Sequence, residues 1–423
     1  MRLEWRLTHV ARAEFGPTAI SGGCLRVAHQ ELCALLAQDR RLQAIDLEIV
    51  NPGEQCRITD IFDVFEPRFK PAGPNFPGLL EPLRRAGDGV SAVARGAAVM
   101  VLNSLADNYR KTVEMSGEAA ALTPYSRTAN ICIRSRPAPG VSRDSYYRAL
   151  KELGARAAVY LGRAAERAGA DEVEFFTLED SSARSRALPR VAYIFAIASQ
   201  QRPTTSDPIL YGDNVRQLIP TALHPNEIID GAVLAPYWNF GSESYTVQNH
   251  RTVLELYRRH RRELNFTGVI VMVAAEVEEA RTRNAIIASG LARHALRADG
   301  VIITKYGGGI PESVAMETYE ACQELGVKGT IVIWAHGGDG RIEGSLTVIS
   351  PHADALVSCG INEERLELPP IARVVAAAPA AQALIAQPDG SLKPAAGALQ
   401  LRILALAGAA DQLGGGRRSS EEY

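Results

Sequence analysis

From Pro189 onward the chain alternates short apolar runs with segments of helical period, and this alternation restricts the fold more than any other feature. Strands are expected at Val191–Ile197, Ala232–Ala235, Gly268–Val273, Gly300–Thr304, Gly329–Trp334 and Ala355–Val357. Helices are expected at Val253–Leu264, Val277–Leu296 and Glu312–Leu325. Strands separated by helices imply βαβ units and a largely parallel sheet. Such sheets bind ligands in the loops that follow their strands.

The first half reads differently. Cys24–Val27, Leu42–Val50, Arg57–Phe65, Ala94–Leu102 and Thr128–Ile133 read as strands bounded by turn signals such as Gly22-Gly23 and Asn51-Pro52-Gly53. His29–Asp39 reads as an amphipathic helix. The proline-rich stretch 69–77 has no regular period and is expected to be an ordered loop. Tyr147, Leu150, Leu153, Ala157, Tyr160 and Leu161 recur at helical spacing and predict a long helix over Asp144–Ala168, with Ser142 as its N-cap. Val173–Thr177 follows as a short strand, and Pro388-Asp389-Gly390 marks a hairpin turn. The expected class is α/β: a strand-rich mixed N-terminal domain over 1–140 and a mostly parallel α/β domain over 189–411. A long helix and connector over 141–188 join them, and a disordered tail occupies 412–423.

Composition narrows the function classes. The chain has 423 residues, 46% of them hydrophobic and 22% charged, with net charge -2. There is no basic footprint for nucleic acid. Every apolar run is interrupted by charge, Gly or Pro before it is long enough to cross a bilayer. The opening MRLEWRLTHV scatters charges and has no apolar signal core, so a cytoplasmic location is expected. The six cysteines form no CxxC pair, which fits neither a zinc site nor a disulfide framework and favours buried structural thiols. No metal site is expected.

Three loops carry the candidate chemistry. The stretch Ile228–Ala235 reads as a buried strand, and after Pro236 it opens into Tyr237, Trp238, Asn239 and Phe240, then Ser242, Glu243 and Ser244. Gly307, Gly308 and Gly309 precede a helix, where backbone N–H groups can approach an anion, although the pattern is neither GxGxxG nor a P-loop. His336 and Asp339 lie in a third loop as a possible acid–base pair. In a parallel sheet the three loops would converge. Tyr237 to Phe240 and the three glycines are then the expected substrate-binding residues. Ser242, Glu243, Ser244, His336 and Asp339 are the catalytic candidates. No GxSxG elbow surrounds the serines, which argues against a serine hydrolase.

A set of segments running in order along nearly the whole chain carries a family resemblance. They are the opening Met1-Arg2-Leu3-Glu4-Trp5; Pro52-Gly53-Glu54 with Arg57-Ile58; Glu66-Pro67-Arg68; Arg95-Gly96-Ala97-Ala98-Val99; and Met115-Ser116-Gly117 with Leu122-Thr123-Pro124-Tyr125-Ser126. Leu188 to Tyr193, Tyr211-Gly212, Ile219-Pro220-Thr221, Asp230-Gly231-Ala232, Leu256 to His260, Glu263 to Phe266, Glu367 to Pro370 and Asp389 to Leu392 continue the set. Together they resemble the component B proprotein of glycine/sarcosine/betaine reductases and, more distantly, the D-proline reductase proprotein. That resemblance implies a proprotein that cleaves itself ahead of a cysteine, which becomes a pyruvoyl group. It also implies a partner subunit whose selenocysteine or cysteine attacks the substrate.

This chain departs from the pattern at the implied cleavage loop. No cysteine occurs between Cys132 and Cys322, so a cysteine-derived pyruvoyl group cannot form there. A serine-derived group from Ser242 or Ser244 is the remaining route, and it is disfavoured because a serine hydroxyl is a weak nucleophile without a base. The expectation is a reductase-complex subunit with no cofactor of its own. It would hold a small-molecule substrate for the thiol or selenol of a component-B-like partner, in an oligomeric assembly. A non-catalytic scaffold subunit and a stand-alone enzyme using His336 and Asp339 are the alternatives.

Overall fold

In the computed structural model the described residues are 1–105, 111–179, 187–197, 206–237, 242–307, 309–335, 346, 348–353, 355–379 and 382–415. The chain begins with β1 (Arg2–His9), β2 (Arg12–Phe15), β3 (Ala19–Ser21), β4 (Cys24–Val27) and α1 (His29–Leu36). It continues through β5 (Leu42–Val50), β6 (Cys56–Phe65), β7 (Arg68–Phe69), β8 (Gly89–Arg95), β9 (Ala97–Leu102) and β10 (Lys111–Glu114). The short α2 (Gly117–Ala120), β11 (Ala129–Pro137), the long α3 (Arg143–Ala168) and β12 (Glu172–Thr177) complete the first half.

The second half runs β13 (Arg190–Ile197), β14 (Thr221–Leu223), α4 (Pro225–Glu227), α5 (Ser244–Gln248), α6 (Arg251–Arg259) and β15 (Asn265–Val273). Then come α7 (Glu278–Gly290), β16 (Gly300–Lys305), α8 (Ile310–Glu324), β17 (Lys328–Ala335) and β18 (Leu356–Ile361). Its sheet has the order β14-β15-β13-β16-β17-β18, with parallel pairing throughout except at β14. The α/β expectation for this half therefore holds, as does the mixed, strand-rich character of the first half. There, one sheet has the order β12-β1-β8-β7 and another β10-β6-β9-β11-β5, each containing parallel and antiparallel pairs.

Two elements position the site. Every residue of β6 is buried, because sheet neighbours flank it and α3 packs over it. The α3 helix starts where expected: the Ser142 hydroxyl accepts the Ser145 N–H at 3.3 Å. It ends at Gly169, whose φ of 84° an L side chain rarely adopts. Lys151 and Glu152 are buried along α3 with the apolar residues, and polar groups at those positions require partners.

The structure corrects several expectations. Ile228–Ala235 is not a strand. His224 and Glu227 form a reciprocal capping box with Pro225 in the first turn, so the chain enters a helical turn. That turn runs irregularly through Ile228–Ala232 and breaks at Asp230 and at Gly231, whose φ is 90°. The Asp230 carboxylate accepts from Lys70, from the Gly87 N–H and from the Ser91 hydroxyl, which fixes the turn outside any sheet. Ala232–Ala235 contributes only an isolated bridge from Val233 to Leu210. Ala94–Leu102 is two strands rather than one, split at Gly96, where φ is 92° and any Cβ would collide with the Val10 carbonyl. The C-terminal segment crosses back to the first half. After β19 (Arg365–Leu368), β20 (Arg373–Val375) pairs in parallel with β6. The hairpin expected at Pro388-Asp389-Gly390 is present as β21 (Leu384–Ala386) and β22 (Leu392–Pro394), and β23 (Leu399–Arg402) pairs with β19.

Candidate functional site

Ser242, Glu243 and Ser244 lead into α5, and all three are fully buried. The Ser244 N–H and hydroxyl both donate to the Asp63 carboxylate on β6, at 2.8 and 2.6 Å. Lys151 of α3 donates to the same carboxylate at 2.6 Å and to the Ala235 carbonyl at 2.5 Å. The Ala235 N–H in turn donates to the Ser244 hydroxyl at 3.2 Å. Asp63 and Lys151 are both without solvent exposure. A buried charge needs a partner, and here each supplies the other's.

Glu243 is held in the same manner. One oxygen lies 3.0 Å from the Lys111 ammonium at the start of β10, and the other accepts the Tyr125 hydroxyl at 2.8 Å. Burial, reinforced by the Glu243 charge, pushes the Tyr125 phenol well above its ordinary pKa. The Ser242 hydroxyl donates to Asp411 at 3.2 Å. Burial raises the Asp411 carboxyl, and Arg251, 3.3 Å away, opposes the rise. Asp63, Glu243 and Asp411 thus each face a cation of their own: Lys151, Lys111 and Arg251.

Two of the three expected loops meet here. Tyr306, which follows β16, is buried with its phenol near Ser242; burial raises its pKa, and the polar Ser242 side chain opposes this. From the end of β17, Trp334 donates its indole N–H to the Asp411 carbonyl at 3.0 Å, so that strand reaches the cluster through the C-terminal segment. Gly307 and Gly309 take φ of 75° and 72°. The Gly307 carbonyl accepts from the Lys305 ammonium, whose second partner is Glu312 at 3.3 Å. Burial lowers the Lys305 pKa against the pull of Glu312. Trp238, Asn239, Phe240, Gly308, His336 and Asp339 lie outside the described residues.

Tyr237 is part of the core as well as of the loop. Its ring lies 5.7 Å from both Phe62 and Tyr147, and its N–H donates to Asp207 at 2.7 Å. Asp63, Lys151, Lys111, Tyr125, Asp207 and Asp411 were not among the residues expected from sequence. A signal for two of them was present: Asp63 interrupts the apolar run of β6, and Lys151 falls four residues after Tyr147 on the apolar face of α3. Two recesses elsewhere, one beside Lys70 and Asp230 and one on α7 beside Thr282 and Ile286, are lined by no residue of this cluster. No group of three or more His, Cys, Asp or Glu side chains suited to a metal ion occurs among the described residues. Nor is any helix among them long and apolar enough to cross a membrane.

Residues 1–421 match the family model for glycine/sarcosine/betaine reductase component B subunits. The glycine reductase complex component B subunits alpha and beta of Peptoclostridium acidaminophilum are 31% identical over 100% of both chains. The protein of the same description from Acetoanaerobium sticklandii is 30% identical over 100% of both. The sarcosine reductase complex component B subunit alpha of Peptoclostridium acidaminophilum is 31% identical, covering 85% of this chain and 86% of that one. No solved structure matches the chain.

Proposed function

Because this chain belongs to the family of glycine/sarcosine/betaine reductase component B subunits, we propose that it serves a reductase complex by holding a small-molecule substrate for attack by a partner's thiol or selenol. The observation that carries this reading is the state of five of the chain's six cysteines and of the two serines at the α5 entry. Burial raises the thiols of Cys33, Cys56, Cys132, Cys322 and Cys359, the reverse of what an attacking thiolate requires. The Ser242 and Ser244 hydroxyls donate to carboxylates that are themselves matched by cations. The attacking group is therefore assigned to another subunit, in keeping with relatives described as components of complexes.

No pyruvoyl group takes part in this role. The residues between Cys132 and Cys322 contain no cysteine from which to form one. The serine route is disfavoured by the commitments of Ser242 and Ser244. A substrate held without a protein carbonyl is positioned by side chains and backbone around the α5 entry. The ion-paired cluster at the α5 entry also suits a scaffold subunit that only stabilises its partner, and turnover by the assembled pair separates the two readings.

The test is co-expression with a thiol- or selenol-bearing component-B-like subunit, followed by size exclusion at micromolar concentration. Co-elution is expected. Separate elution of the two chains would remove the reading.

A further inference from the structure

Asp207 is fully buried, and the described residues use only one of its carboxyl oxygens. Oδ2 accepts the Tyr237 N–H at 2.7 Å, whereas Oδ1 has no hydrogen-bond partner among the described residues. The charged groups that face it are Lys151, which favours its ionised form, and Asp63, which opposes it. Lys151 is already matched to Asp63 at 2.6 Å. Farther out, around the Tyr237 ring, lie Arg148, Glu152 and Asp144, with Arg148 and Glu152 paired at 3.2 Å. Among the described residues, Asp207 is thus the acid in this cluster with no cation of its own. A buried carboxylate in that position is unfavourable until a positive donor arrives. Burial accordingly raises the Asp207 carboxyl to about 7.

The surroundings suit an ammonium group. Phe62, Tyr147 and Tyr237 form a wall of rings 5.2 to 5.7 Å apart. The Lys151 ammonium stands 5.7 Å from the Phe62 centroid and 5.9 Å from that of Tyr237, so two faces of this wall already accommodate one such charge. Tyr237 is only partly buried and Ser206 is exposed, which brings the cluster to the surface beside Asp207.

We propose that Asp207 Oδ1 accepts an N–H from the ammonium group of a small primary or secondary amine, and that this contact selects amines bearing an N–H over quaternary ones. The inference rests on the substrate-holding role proposed above and names the residue that receives the substrate nitrogen. A quaternary ammonium has no hydrogen to donate and leaves Oδ1 unpartnered. A hydrogen bond to an ionised acceptor is worth about a ten- to hundredfold change in affinity, enough to set a preference.

The experiment is calorimetric titration of the intact, full-length chain, without partner, using glycine, sarcosine and betaine as probes. Glycine and sarcosine are expected to bind at least about tenfold more tightly than betaine. Their affinity falls about tenfold per pH unit below 7, because a protonated Asp207 cannot accept the N–H. Asp207→Asn is expected to abolish both the preference and the pH dependence. At pH 8 it also removes a buried charge, so it should unfold no earlier than the parent chain, and a loss of binding then does not reflect misfolding. Equal binding of betaine and glycine, pH-independent affinity, or unchanged glycine binding by Asp207→Asn would each overturn the proposal. The tests separate the two readings: glycine binding without co-elution of a thiol partner removes the complex and keeps Asp207, and co-elution without glycine binding does the reverse.

Discussion

His250 and Asp207 are buried titratable residues whose pKa values move in directions that oppose each other in their effect on folding. His250 makes a 3.1 Å contact with the Tyr193 hydroxyl, and burial lowers its pKa to about 3. As pH falls below its unfolded value of 6.5, the unfolded chain takes up a proton that the folded chain refuses, so stability is lost toward acid. Asp207 is raised from 3.8 to about 7, so between those values the folded chain holds a proton that the unfolded chain has released. Its contribution is full below 3.8 and is lost as pH rises toward 7. Between about pH 5 and 6.5 the two slopes, each about 1 kcal/mol per pH unit, oppose one another. Burial also lowers His224 to about 4, which adds a slope of the same sign as that of His250. Urea unfolding of Asp207→Asn is therefore expected to show stability rising with pH more steeply than in the parent chain across that window, and His250→Gln less steeply. Parallel pH profiles for the two variants would mean that neither pKa is shifted by folding.

At the scale of single elements, α3 is the part on which the site most depends. It carries Lys151 to Asp63 and lies close enough to the sheets that its glycines have no room for a side chain. A Cβ at Gly154 would stand 2.5 Å from the Phe65 ring, and one at Gly162 would collide with the Arg68 backbone carbonyl. Helix propensity alone favours Gly162→Ala by about 1 kcal/mol. The collision is with backbone, which cannot rotate away, so the net expectation is a loss of about 1–3 kcal/mol in chemical denaturation. A stabilised Gly162→Ala would show that α3 can lift from β7 without penalty. The cap at Ser142, the apolar spacing and the stop at Gly169 were all legible in the sequence, because each depends on neighbours along the chain. The helical turn at Ile228–Ala232 was misread as a strand because its apolar content outweighed the start signal at Pro225 and Glu227.

For the whole molecule, the expectation is a chain that remains in one piece. Self-cleavage needs a side-chain nucleophile on the carbonyl before it and then a β-leaving group. Ser242 and Ser244 donate their hydroxyls to Asp411 and Asp63, and Glu243, the nearest base in sequence, is occupied by Lys111 and Tyr125. Intact-mass measurement of freshly purified protein should show one species at 45.6 kDa, inert to hydrazines and borohydride. Two fragments joined near Ser242 or Ser244, the downstream one carrying a reactive carbonyl, would establish the serine route instead.

Local pattern along the chain was enough to reach the periodic elements, the parallel α/β second half, the mixed first half and, through an ordered set of segments, the family. Each of these follows from local pattern: apolar period, caps, turn residues and composition. The sequence also excluded a cysteine-derived group at the α5 entry, since that depends only on which residues are present. Which residues share the site depends instead on packing between distant parts of the chain. Asp63, Lys151 and Ser244 are separated by 88 and then 93 positions in the numbering, yet they meet within 2.6 Å contacts. The Asp411 that holds Ser242 comes from the far end of the chain. Pairings of that kind are set by how α3, β6 and the C-terminal segment pack, and a buried charge shows in sequence as an interruption of an apolar face without naming the partner that makes it tolerable.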